Sequence, residues 1–411
     1  MSIAPLQDAS ATTPWHGHAD PDELAHWSAV AADVAAALAV DVVDRDRANS
    51  LPVEPARLLR ESGLADLLVP RALGGHGAHW ETAFRVTRII ARVDASIAQI
   101  LGYSWLNQAC VGFYGTDASQ QERWFARSAE GHWLWADSFN PISPDLRLVA
   151  DGDGYVLDGR KGFATGAAVA DVIVAGAVAE GGAYDGQLVV FAVPASREGV
   201  RHLGDWDNIG YRASASGGVE YSGVRITADD VVGVDTDRPF SSVVTPGVQL
   251  LFGNVYLGIA EGALAQGRDL TLARRNSWFL SGVDRYADDP ITHRAFGDLV
   301  ARTVAVEALA DSLNRRYDDA VALGFDTTAD DRAQLELAVA ALKVVSTDVG
   351  LDVSSRVFEL TGASSTKSAI GLDLHWRNIR THSLHDPVDY RRIEVGAHFL
   401  NGTVQPVSLY T

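Results

Sequence analysis

The chain has 411 residues, enough for two or three domains, and its 47% hydrophobic and 21% charged content is that of an ordinary globular protein. A formal net charge of −19 argues against nucleic-acid binding and against an anionic membrane surface, since both need clustered Lys and Arg. The one cysteine, Cys110, excludes an intrachain disulfide and a cysteine-rich zinc site; with no secretory signal and no apolar run of roughly 18 residues, a cytoplasmic location is expected.

Residues 1–20 mix Pro, His, Thr and Asp without periodicity and read as a flexible leader. His16 and His18 lack a third ligand nearby, so no metal is assigned to them or elsewhere. From Pro21 to Ala48, Leu24, Trp27, Val30, Val34, Leu38 and Val42 recur at three- and four-residue steps, the period of an amphipathic helix. Further helices are expected over Pro55–Ser62, ended by Gly63, over Trp80–Gly102, over Tyr103–Gly115, and over Asp117–Ser128 with a cap near Thr116. Residues 21–131 thus form a helical domain.

Near Gly131 the texture changes. His132–Ala136 and Leu146–Ala150 read as extended, and Asp151-Gly152-Asp153-Gly154 turns into Tyr155–Leu157. Asp158-Gly159 turns again into Lys161–Ala164, and Asp171–Val178, Gln187–Val193, Val219–Tyr221 and Val224–Thr227 follow as β-rich runs. Strands with short polar turns and no helices between them imply an antiparallel barrel or sandwich over 132–240. Helical periodicity returns in Leu250–Arg275, Thr292–Leu323 and Asp330–Leu360, the long members of a four-helix bundle over 241–411. Small residues such as Gly253, Gly258, Ala260, Gly262 and Ala263 suit close helix contacts, some of them with another subunit. The fold class is α+β: helical domain, β domain, helical bundle.

Chemistry concentrates in His375–Tyr390, HWRNIRTHSLHDPVDY. The segment is expected as a helix stopped by Pro387, which leaves His385 and Asp386 on a backbone of fixed direction at its end. Two readings stay open: a positioned base, or a buried ion-pair network joining two helices.

Several motifs in order resemble the acyl-CoA dehydrogenase superfamily from about Ala48 to Gly402. Gly154-Tyr155-Val156-Leu157-Asp158-Gly159-Arg160-Lys161-Gly162-Phe163-Ala164-Thr165-Gly166 is similar to that family's middle-domain strand pair, and Asn208-Ile209-Gly210-Tyr211-Arg212 to its Gly-Met-Arg element. Pro194–Val200, Asp205–Gly210, Asn254–Ala260, Asp352–Ser355 and Trp376–Pro387 resemble the flavin-dependent monooxygenases of the dibenzothiophene monooxygenase type, and the indole hydroxylases share that architecture.

The resemblance implies reduced FAD or FMN, O2 added at flavin C4a as a hydroperoxide, and oxygen transfer to an aromatic or heteroaromatic substrate, an indole or a sulfur heterocycle. It also implies an NADH-dependent flavin reductase as partner and a homotetramer built as a dimer of dimers. His385 occupies the position of the monooxygenases' catalytic His, and imidazole suits a proton relay because it donates and accepts near neutrality. Asp386 aligns with the dehydrogenase base but is one methylene shorter; His382 supports the site from behind, and Trp376, Arg377 and Arg380 orient the helix end. Ser104 stands where these monooxygenases carry a second His, and Asp137 where they carry Asn; both are candidate catalytic residues.

Thr165 aligns with the hydroxyl that hydrogen-bonds flavin N5, Phe163 with the aromatic residue behind the ring, and Trp135 and Ser138 with its pyrimidine side. Arg275 lies at the family's phosphate-binding arginine, and Gly362-Ala363-Ser364-Ser365 replaces the dehydrogenases' Gly-Gly-rich pyrophosphate loop, with the preceding Gln missing. Tyr103, Trp105, Asn107, Phe139 and Trp206 are expected to line the substrate pocket. The rival functions are an FAD-dependent acyl-CoA dehydrogenase and a non-catalytic scaffold.

Overall fold

Helical periodicity in the first third resolves into six helices in the computed structural model, which describes residues 13–115, 117–139, 145–235 and 238–407. The expected helix over Pro21–Ala48 is two, α1 (Pro21–Ala39) and α2 (Val42–Ala48), bent by 58°. The bend lets Arg45 donate back to Leu38 O at 3.1 Å and to Asp94 Oδ2 at 2.8 Å. Helix α3 spans Val53–Glu61, α4 Trp80–Ala91, α5 Ala95–Tyr114 and α6 Ala118–Gly131. The break expected at Gly102 falls at residues 92–94, where Asp94 caps α5 by accepting from Ile97 N. Gly102 lies inside α5, and Leu251 fills the space a side chain would need.

Asp117 caps α6 through Ser119 N and Gln120 N; the expected cap Thr116 lies outside the described residues, as do residues 1–12 of the leader. Within the remainder of that leader Thr13 and Trp15 are buried, while His16, Gly17, His18 and Asp20 are exposed. Trp15 is buried against Trp80, Phe113 and Phe125, and its indole N–H donates to Leu68 O at 3.1 Å.

Eight strands follow among the described residues: β1 (Trp135–Ser138), β2 (Leu146–Asp151), β3 (Gly154–Lys161), β4 (Val172–Glu180), β5 (Leu188–Pro194), β6 (Val200–His202), β7 (Val219–Ile226) and β8 (Val231–Val234). They run in the order β6-β7-β3-β2-β4-β5-β8, with β1 beside β4. The sheet is mixed rather than wholly antiparallel, because β1 and β2 both pair with β4 in parallel. Asp158-Gly159 is a bulge inside β3, not a turn: the register against β7 shifts there, and Gly159 takes φ +127°, a conformation β-carbon residues avoid. The two runs at 219–227 form the single strand β7. Alternation on β4 sends Ile173 and Ala175 into the core between the sheet halves, and Val172 and Val174 into the helical core.

The C-terminal part holds α7 (Val244–Ala273), α8 (Pro290–Ala322), α9 (Ala329–Thr361), α10 (Asp373–His382) and α11 (Val388–Asn401). Helix α7 is the one helix among the described residues long and apolar enough to cross a membrane, but 89% of its apolar window is buried, so it is the core of the bundle. Gly258 and Gly262, one turn apart, leave room for the carbonyls of Arg88 and Arg92 that close α4, while Gly253 receives Leu342 of α9. The small residues of α7 therefore serve contacts within the chain.

His375–Tyr390 is not one helix. Helix α10 ends at His382, residues 383–387 form a turn, and Pro387 begins α11 instead of stopping the helix before it. Arg377 fixes α10 by pairing with Asp46 of α2 at 2.7 Å and donating to Ile209 O at 2.6 Å.

Candidate active site

At about 100° per residue, Gln99, Tyr103, Leu106, Asn107, Cys110 and Tyr114 fall on one face of α5. That face lines a cavity of about 780 Å³, closed by Asp137, Phe139 and Val174 of the β1–β4 edge, by Phe163, Thr165, Trp206, Tyr211 and Ser216 of the loops around β3 and β7, by Val244–Gln249 of α7, and by Arg380, His382 and His385. The cavity lies where the helical domain, sheet and bundle meet. Its size suits a cofactor with a small ring substrate.

Two imidazoles stand side by side on it, with ring centroids 5.6 Å apart. His382 is fully enclosed: Tyr256 Oη lies 2.8 Å from Nδ1, and Gln99 Nε2 lies 3.0 Å from Nε2. Burial, with His385 and Lys343 nearby, drives its pKa well below 6.5, so the ring is neutral. Because the Tyr256 hydroxyl donates to His382 O at 3.1 Å, it is free to accept from Nδ1–H, which leaves Nε2 to accept from the Gln99 amide. His385 is 37% exposed and reaches Tyr103 Oη at 3.5 Å through Nε2, with Nδ1 3.3 Å from Asp386 Oδ1. It is the accessible imidazole of the pair.

Asp386 does not line the cavity. Its Oδ1 accepts from Lys343 Nζ at 3.0 Å, and Arg391 Nε lies 3.6 Å from Oδ2. Burial pushes this carboxyl up, but Lys343 and His385 beside it outweigh burial and hold it well below the carboxylate range. Lys343, absent from the sequence expectations, is fully buried on α9, with its ammonium also on Gln249 Oε1 at 3.1 Å and 4.4 Å above the Phe252 ring.

Asp137 faces the cavity without a salt-bridge partner among the described residues, and burial raises its pKa from 3.8 to about 7, against the opposing pull of the Thr165 backbone N–H. Thr165 Oγ1 accepts from Ser216 Oγ at 3.1 Å and faces Gln99 Nε2 at 3.5 Å. Phe163, at φ +62° and 67% exposed, stands edge-on to Trp206, with centroids 6.1 Å apart.

Tyr103, Asn107, Asp137, Phe139, Phe163, Thr165, Trp206, His382 and His385 thus converge on one cavity. The other expected site residues lie elsewhere. Ser104, one position round α5 from Tyr103, is buried and accepts from Trp135 N at 2.9 Å, and Trp105 points away to donate to Leu64 O at 2.7 Å. Trp135 is locked behind α5 and α6, where its indole N–H donates to Ser128 Oγ at 2.8 Å. Strand alternation turns Ser138 to the face opposite Asp137, toward Tyr221. Gly362 packs under the Arg274 guanidinium, beside exposed Arg275, and neither these two nor Ala363 touches the cavity of this chain. Arg380, expected to orient a helix end, instead lines the cavity.

Buried polar atoms show what the cavity is fitted for. Gln99 Oε1, Tyr211 Oη and Arg380 Nε have no hydrogen-bond partner among the described residues, and all three belong to lining residues. A flat ring edged with N–H and C=O groups, as in a flavin, would meet that demand. The architecture and the cavity together define a flavoenzyme of the acyl-CoA dehydrogenase type.

Comparison with known proteins narrows this. Profiles described as the N-terminal, middle and C-terminal domains of acyl-CoA dehydrogenase match residues 21–132, 140–224 and 250–390. A probable FMNH2-dependent monooxygenase, SfnC of Pseudomonas putida, is 37% identical over 93% of this chain and 97% of its own. Dibenzothiophene monooxygenase of Mycolicibacterium goodii is 36% identical over 96% and 97%. The crystal structure of TdsC from Paenibacillus sp. A11-2 with FMN and indole superposes with a TM-score of 0.88 at 32% identity, covering 94% of this chain and all of that one. The chain belongs to the acyl-CoA dehydrogenase family, in its flavin-dependent monooxygenase branch. It is an oxidoreductase that uses reduced flavin.

Proposed function

We propose that this enzyme takes FMNH2 from a separate NADH-dependent reductase and oxygenates a small aromatic heterocycle, an indole or a thiophene, with His385 handling the proton. The observation that carries the reading is the pairing of an accessible imidazole, His385, with an aromatic-lined cavity from which Asp386, the residue aligned with the dehydrogenase base, is withdrawn into an ion pair. Bound reduced flavin supplies the electrons that activate O2. Around it, Phe163 and Trp206 shield a flat ring, Thr165 presents a hydroxyl, and His385 exchanges a proton at Nε2 while Asp386 anchors Nδ1.

FMN is favoured over FAD by the loop after α9, whose hydroxyls bond to one another and to its own carbonyls. Thr361 Oγ1 donates to Ser365 Oγ, Ser365 Oγ to Gly362 O and Thr366 Oγ1 to Ala363 O, each at 2.7 Å. Of the hydroxyls in residues 361–366 that leaves exposed Ser364 for a second phosphate, and FMNH2 and FMN are the flavins named for the relatives SfnC and TdsC. Homo-oligomerisation, as a dimer of dimers, is supported by exposed Trp278, Phe279, Phe399 and Leu400, and by the position of Arg275 and Gly362 away from this chain's cavity.

The test supplies NADH, a flavin reductase, 18O2 and indole or benzothiophene. Labelled oxygen in the product is expected, and oxidation of an acyl-CoA without incorporation would overturn the reading. His385→Asn should lower coupled product by about 10²-fold, the usual scale for losing a general acid–base group; unchanged turnover would reduce His385 to a structural part.

A further inference from the structure

The Asp137 carboxyl sits between the cavity's hydrocarbon and aromatic walls, beside Leu106, Cys110, Phe139 and Val174. Two backbone N–H groups, of Thr165 and of Asp137 itself, act on the carboxyl. Its oxygen Oδ1 is buried and has no hydrogen-bond partner, and no cationic side chain among the described residues pairs with the group. The Cys110 thiol cannot serve it, because Sγ is turned to Leu106 O at 3.5 Å. An acceptor oxygen with no donor is costly inside a protein, and the cost is relieved when a ligand brings the missing donor.

We infer that Asp137 selects the substrate: its free oxygen accepts a hydrogen bond from a ring N–H, so the substrate class is an N–H heteroaromatic and not its sulfur analogue. This rests on the reading of the cavity as a heterocycle site. A thiophene sulfur at the same place offers no proton and sets a lone pair against the carboxyl oxygen. Losing a hydrogen bond to the ionised carboxylate corresponds to on the order of 10- to 100-fold in affinity, so the comparison is made at pH 8, above the Asp137 pKa of about 7.

The experiment measures dissociation constants of indole, N-methylindole and benzothiophene by calorimetry, with full-length protein lacking flavin and again with FMN added. Wild type should bind indole about tenfold or more tightly than either analogue. Asp137→Leu should erase that preference by weakening indole alone, and the isosteric Asp137→Asn, which keeps an acceptor oxygen, should retain part of it. Equal binding of all three bicycles by wild type, or a preference unchanged in Asp137→Leu, overturns the inference and leaves the heterocycle reading standing. A loss of FMN affinity in Asp137→Leu with the preference intact also overturns it, by assigning the carboxyl to the flavin. Binding of none of the three overturns both.

Discussion

Replacing Lys343 with Met tests whether the charge buried behind His385 is a paired unit. The ammonium is fully enclosed between α7 and the turn after α10, donating to Asp386 Oδ1 at 3.0 Å and Gln249 Oε1 at 3.1 Å. Methionine fills similar volume and keeps the contact with Phe252, so the change removes charge and donors and leaves little void. Asp386 is then left with His385 Nδ1 at 3.3 Å and Arg391 Nε at 3.6 Å, and that guanidinium is already engaged by Glu336 at 2.6 Å and Glu394 at 3.0 Å. Stranding one member of a buried pair costs about 3–5 kcal/mol, whereas replacing both is close to neutral. Urea unfolding at pH 7 should therefore show a loss of about 3–5 kcal/mol for Lys343→Met, and much less than the sum of the single losses for Lys343→Met/Asp386→Asn, with a coupling of about 2 kcal/mol or more. The sign follows from Asp386, whose lowered pKa makes its stabilisation present above 3.8 and lost as pH falls below that value. A single-variant loss below about 1 kcal/mol, or strict additivity in the double variant, would refute the paired unit.

Ser104→Ala leaves the Trp135 N–H buried without an acceptor and should cost about 1–3 kcal/mol in denaturant unfolding, while turnover of the variant that folds stays near wild type; a collapse of turnover would restore Ser104 to the chemistry. Gly262→Ala drives a methyl into the Arg92 carbonyl where α4 meets α7, and should lower stability by about 1–3 kcal/mol, read as a lower Tm. Asp137 is raised from 3.8 to about 7, so the folded state favours its protonated form and its share of stability fades as pH rises through that window. Between pH 5 and 8 wild type should lose about 2–3 kcal/mol relative to Asp137→Asn; an unchanged difference would mean that the carboxyl is ionised throughout.

Periodicity carried the long helices, because α7, α8 and α9 each repeat apolar residues over seven or more turns; the ends of α8 and α9 shift by at most two residues, while α7 begins six residues before the expected Leu250, at Val244. It failed where one local signal serves two structures. Asp158-Gly159 has the composition of a hairpin turn, yet the pairing of β3 with β7 on both sides converts it to a bulge. Gly102 looks like a helix end, yet it is the residue that lets Leu251 approach α5. That misplaced break had a cost at the site. Gln99 is four residues before Tyr103 and Cys110 seven after it, so one uninterrupted helical face carries all three. Cutting the helix at Gly102 hid the first of them. Lys343 had no such signal: only the approach of the turn after α10 distinguishes it from any other lysine of a long helix.

Of the two readings of His375–Tyr390, the ion-pair network falls to Asp386, and the neighbouring His385 is the residue we propose as the base. The turn over 383–387 makes this separation. It directs His385 to the cavity, and it lets Asp386 meet Lys343 of α9 and Arg391 of α11. A carboxylate acting as base must be willing to take a proton near neutral pH, and pairing with a buried ammonium removes that willingness. The pair thus makes Asp386 a poor base and sets it against Nδ1 of the neighbouring imidazole. With His382 held neutral by burial, the cavity wall presents the accessible imidazole of His385 beside the Tyr103 hydroxyl and, on the β1 strand, the Asp137 carboxyl raised to about 7. They approach from different elements of the fold, so the prediction at each can fail without the other.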